Sequence, residues 1–173
     1  MKLGNLPCAL LLVCLAFAGC SRPSLTDKIT AQDDESFESW IGRRSALLTP
    51  IDIQELHDAR QQIRYQVMQQ HPGMMSANFN ALVYAEINGQ TLRELLVKSY
   101  TLQRDRVDTD LANYKPMLER FEKDKQRAGL SEVQRKYVGD SLEKLHRLKA
   151  EREAERERIL RRLAELAPDN SAT

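Results

Sequence analysis

An all-α fold is what this 173-residue chain predicts, with short helices packed on a long antiparallel helical hairpin of coiled-coil character. Three observations carry that expectation. Nearly every break in the apolar pattern bears a helix-start signal: a Ser or Thr with an acid or amide three residues on. Strand signals are scarce, and no two stand as a pair. Between Tyr100 and Leu166, apolar residues recur at four-three spacing over two long stretches separated by Gly129.

The chain opens on the three parts of a secretory signal over residues 1–19: a positive charge at Lys2, an apolar run from Cys8 to Phe17, then Ala18 and Gly19. The run is too short to cross a bilayer, which takes about 20 residues. Removal of the segment is therefore expected. The residues before Cys20 resemble the lipobox of bacterial lipoproteins, with Phe17 where that pattern more often has Leu. The resemblance implies cleavage before Cys20 and acylation of its sulfur and new amino group with chains such as palmitate. It makes Cys20 the lipidation site and the bilayer the first partner. By resemblance to the sorting rules of enterobacterial lipoproteins, Ser21, where Asp would direct retention, implies the periplasmic face of the outer membrane. A plain secretory signal cut nearby is the alternative.

Cleavage takes Cys8 and Cys14 away, so no disulfide is expected in the mature chain. It also removes Lys2, which leaves 25 basic residues against 25 acidic ones. A chain of zero formal charge has no electrostatic hold on nucleic acid, and none is expected as a partner.

Residues 20–33 are polar, contain Pro23 and show no sustained apolar period, so they predict a flexible tether. Residues 34–90 predict a small helical region. Its first helix, around Asp34 to Leu47, sets Phe37, Trp40, Ile41 and Leu48 to one side. Thr49, Pro50 and Asp52 supply the cap, first-turn proline and acid of a second helix. It is expected to bury Ile53, Leu56, Ile63 and Val67, and to stop near Gln70 before His71, Pro72 and Gly73. The stretch from Asn78 to Ile87 has strand-forming residues, yet Phe79, Leu82, Val83 and Ile87 share a helical face and no partner strand exists. A short helix is expected there, ended by Asn88 and Gly89. Thr91 with Glu94 is a capping box for the next helix.

Residues 91–167 predict the hairpin. Tyr100, Val107, Leu111, Tyr114, Leu118 and Phe121 form the seam of its first arm. Pro116 lies off the seam, which implies a kinked but continuous helix; a new helix starting there is the alternative. Ser131 with Gln134 caps the second arm, whose seam runs through Val138, Leu142 and Leu145 and returns at Ile159, Leu163 and Leu166. Folding about Gly129 sets Phe121 by Val138, Leu111 by Leu148 and Leu96 by Leu163. It also brings Lys149, Arg152 and Arg156 to the segment holding Asp105, Asp108 and Asp110, so an ionic middle is expected. The competing expectation for the charged run is a single solvated helix held out from the body. Residues 168–173 read as a disordered tail.

No catalytic motif is present, and no cofactor or enzymatic activity is expected. An enzyme would need a polar pocket, for instance around Trp40, Tyr84 and Glu86. His57 and His146 have ion-pair or surface explanations. Met68, His71, Met74 and Met75 crowd a helix end and turn, and such soft donors suit Cu(I). Core packing and filling of the bend is the other explanation, since methionine adapts to irregular gaps. No metal is assigned.

The layout of DDESFESWI, LTPIDIQELHDA and INGQTLRELL resembles a family of small uncharacterised helical bacterial lipoproteins with an NG or DG turn and Thr between helices. The likeness covers about Asp33 to Leu102 and implies no activity. LTPIDIQELHDARQQIR is also similar to the LTxxQ segments of periplasmic chaperones and metal-stress sensors of the Spy and CpxP kind. A non-enzymatic envelope lipoprotein is therefore expected, its hairpin offered to a protein partner or to a second copy. A Spy/CpxP-like chaperone or metal-stress protein is the alternative.

Overall fold

The computed structural model describes residues 25–73 and 76–168, the side chains of Ser76 and Ala77 excepted. The signal segment 1–19, Cys20, Met74, Met75 and residues 169–173 lie outside the described residues.

Local chemistry sets the helix starts. Thr49, Thr91 and Ser131 each accept from the backbone N–H three residues on, and Asp52, Glu94 and Gln134 reach back to the cap N–H. Asp33 and Ser36 make a fourth such box. Each satisfies two donors that a helix start otherwise leaves open, worth about 1 kcal/mol. Among the described residues five helices result: α1 (Asp34–Arg44), α2 (Pro50–Gln70), α3 (Ser76–Ile87), α4 (Leu92–Lys125) and α5 (Glu132–Leu166). The fold is all-α, and α4 and α5 pack on each other as an antiparallel hairpin.

The small helices build the core. Phe37, Trp40 and Ile41 of α1, Leu56, Ala59, Ile63 and Val67 of α2, and Val83, Tyr84 and Ile87 of α3 are buried together. Leu48 joins them from the α1–α2 turn. Leu92, Leu95 and Leu96 of α4 and Leu166 of α5 close the cluster, so the base of the hairpin and the small helical region share one core. A fully buried side chain of this size contributes about 1.5–3 kcal/mol. Two details differ from the sequence expectation. Helix α1 stops at Arg44 rather than near Leu47, and Ile53 is only half-buried while Ala59 is buried.

The tether expected over 20–33 is corrected where it is described. Leu25 to Gln32 is an extended strap whose side chains alternate inward and outward, with Ile29 and Ala31 buried. Its backbone pairs with the α3–α4 turn: Ile29 N donates to Gln90 O at 2.8 Å, Gly89 N to Ile29 O at 2.8 Å and Leu92 N to Asp27 O at 3.0 Å. Ala31 N donates to Asn88 Oδ1 at 3.2 Å, and Trp40 Nε1 donates to Lys28 O at 3.1 Å. The reason is a period-two pattern, Leu25, Asp27, Ile29, Ala31, that suits an extended segment laid on a core. The turn it pairs with needs Gly89, whose φ is +82°.

Helices α4 and α5 have 34 and 35 residues, about 50 Å each. Pro116 lies exposed within α4, which continues through it with its register intact. Gly129, at φ +83°, lets the chain reverse. Val107, Val138, Leu142, Leu145 and Ile159 are buried along the arm and lie outside the main core cluster. A single solvated helix is thereby excluded.

Candidate functional site: the hairpin from base to tip

At the base, Glu55 of α2 is held by both neighbouring long helices. Arg162 Nε and Nη2 donate to its two oxygens at 2.9 and 2.7 Å, and Tyr100 Oη donates to Oε1 at 2.8 Å. Arg162 Nη1 also donates to Glu165 at 2.8 Å. Paired, parallel donors make this the strong form of an Arg–carboxylate contact. The Glu55 hydrogen bond raises the Arg162 pKa. Burial, then donation to Glu55, pushes the Tyr100 phenol up to about 12.

A second cluster ties α1, α2 and α3. Tyr84 Oη donates to Asp34 Oδ1 at 2.5 Å, and Arg60 reaches Asp34 at 3.2 Å and Glu38 at 2.9 Å. Arg64 joins Asp34 at 3.4 Å, and His57 lies 3.5 Å from Glu38. Burial, then the hydrogen bond to Asp34, pushes Tyr84 up to about 12. The pairs that tie one helix to another in the two clusters are 19 to 107 positions apart. No local spacing announces them; only folding brings their members together.

Above the base, the ionic middle forms in part as expected. Arg156 Nε meets Asp108 at 2.6 Å, and Arg152 Nε meets Asp110 at 3.2 Å. Lys149 does not join them: it pairs with Glu153 at 2.9 Å on its own helix, and Asp105 pairs with Arg104 at 2.7 Å. For Lys149, a partner one turn away on its own helix face is nearer than one across the seam. Arg152 also bonds Glu155 at 2.5 Å, so each arginine of the middle has a carboxylate.

Near the tip, the Phe121 and Tyr137 rings lie 6.3 Å apart at 57°. This pair, with Arg152 on Asp110, fixes the reversed register of the two arms. Val133 and Tyr137 of α5 are 79% and 65% exposed, and Met117 of α4 is exposed as well. Residues 115–137 carry seven Lys or Arg against four Asp or Glu.

The residues singled out from sequence are scattered. Cys20 lies outside the described residues. Met68 and His71 are exposed at the end of α2, while Met74 and Met75 fall outside the described residues. Among the described residues no three His, Cys, Asp or Glu side chains converge as metal ligands. His146 lies 4.0 Å from Glu122 on the hairpin surface. Trp40 and Tyr84 are buried in the core, whereas Glu86 is exposed and pairs with Lys98. No described helix is long and apolar enough to cross a membrane. No family model, curated protein or solved structure matches the chain.

Proposed function

We propose that this is a lipid-anchored component of the bacterial envelope, held by acylated Cys20 at the periplasmic face, with the outer membrane favoured. It acts without catalysis, presenting its hairpin to a protein partner or to a second copy of itself. The observation that supports this reading best is the far end of the hairpin. Val133, Tyr137 and Met117 are exposed there, at the end of arms about 50 Å long that carry their own buried seam. An exposed tyrosine is one of the anchor residues that interfaces favour. The basic excess around them favours a partner whose rim is acidic.

The lipid anchor is tested by Cys20→Ala. The variant is expected in the soluble fraction of lysed cells, and a variant that still pellets with membranes would refute the anchor. A Spy/CpxP-type chaperone would act on many unfolded proteins. Light scattering of a reduced, aggregating client separates the two: no suppression at equimolar ratio fits the single-partner reading, and strong suppression replaces it with the chaperone reading.

A further inference from the structure

At the opposite end from the tip, a groove of about 860 Å³ opens where the strap and the starts of α2 and α4 meet the end of α5. Leu92 and Leu166, both buried, form its floor. Leu25, Leu47 and Ile51 form its rim, the last two 51% and 70% exposed. Most charges along it are already engaged. Asp52 accepts from Thr49 at the α2 cap, Glu55 is held by Arg162 and Tyr100, and Glu165 is held by Arg162.

Arg93 is different. It lines the groove, its Nε is buried without a hydrogen-bond partner, and it forms no ion pair with a carboxylate among the described residues. A guanidinium is built to meet a carboxylate with two parallel donors, and Arg93 lines the groove without such a partner among the described residues. A cation without a carboxylate partner among the described residues, beside an apolar trough, is complementary to one kind of molecule: a charged head on a hydrocarbon chain.

We infer that this groove binds a single-chain anionic amphiphile, a long-chain carboxylate whose head meets Arg93 and whose tail lies along Leu25, Leu47 and Ile51. Its volume is in the range of small-molecule sites, about 300–1,000 Å³. Apolar contact supplies affinity, and Arg93 selects the charge. The ligand is a free one, so the inference goes beyond the envelope role and does not require Cys20 to be acylated.

The test is calorimetric titration of the full chain carrying Cys20→Ala, so that no attached acyl chain competes, with decanoate, decanol and acetate. Decanoate is expected to saturate at one per chain, at least about tenfold tighter than decanol, while acetate shows no binding. Arg93→Gln should remove the preference for decanoate and leave decanol unchanged. Leu47→Asp with Ile51→Asp, both at exposed positions, should weaken decanoate and decanol alike. Equal affinities for decanoate and decanol in the parent chain would overturn the inference. So would an unchanged ratio in Arg93→Gln, or binding to phosphatidylglycerol vesicles without a saturable decanoate site.

Discussion

The two ends of α4 and α5 live in different surroundings. At the base, Leu95, Leu96 and Leu166 are covered by α1, α2, α3 and the strap, and Glu55 is clamped by Arg162 and Tyr100. Along the arm, Val138, Leu142 and Leu145 lie buried outside the main core cluster, and the charged pairs there are open to water. The same helices thus serve as core at one end and as a slender extension at the other. Stability concentrates where several elements converge, which leaves the far end free to carry exposed apolar groups.

Breaking the base should have the largest effect. Leu56→Ala removes a fully buried side chain from the shared core and is expected to cost about 2–5 kcal/mol. In urea, far-UV ellipticity and Trp40 fluorescence should shift together to lower denaturant. Leu142→Asp attacks the arm instead. Because that seam opens to water on either side, the expected cost is smaller, about 1–3 kcal/mol. Helicity should fall well beyond one turn while the Trp40 signal, deep in the base, stays native. Loss confined to a single turn would mean that the arm helices are not mutually supporting, and parallel loss of the Trp40 signal would erase the distinction between the regions.

Alkaline pH sharpens the same contrast. Tyr84 and Tyr100, both in the base clusters, are pushed up to about 12 from the ordinary 10. The folded state holds those protons more tightly than the unfolded state, so their contribution is intact below pH 10 and is lost as pH rises from 10 to 12. Unfolding free energy measured in urea across that window should fall, and Tyr100→Phe should remove part of the slope. The smallest effect belongs to the arm. A double-mutant cycle on Arg152 and Asp110 should give a coupling below about 1 kcal/mol that shrinks as salt is added, because the pair is half-exposed.

Much of this architecture is legible in the chain because its signals are local. Thr49 with Asp52, Thr91 with Glu94 and Ser131 with Gln134 mark helix starts that the structure keeps to the residue. The four-three seam gives the hairpin, and charge pattern gives Arg152 and Arg156 their partners. Lys149 escapes because a side chain one turn along its own helix competes with one across the seam. The strap from Leu25 to Ala31 is hidden for another reason: its pairing partner is a turn some 60 residues away, and four alternating residues carry little periodic weight beside polar neighbours. The Asp34, Arg60 and Tyr84 cluster and the Glu55, Tyr100 and Arg162 clamp are wholly long-range, as is the convergence of Leu47, Ile51 and Arg93 on one groove. Residues of these kinds look like solvated charge and scattered apolar positions until the fold assembles them.

The measurement that tests the central claim most directly is crosslinking in intact cells, with photoreactive residues at Val133 and Tyr137 of the tip and, for contrast, at Glu151 of the arm. If the far end is the recognition surface, mass spectrometry should find one dominant envelope protein, or a second copy of this chain, captured from the tip and little from Glu151. A broad spread of unrelated proteins, or equal capture from Glu151, would contradict it.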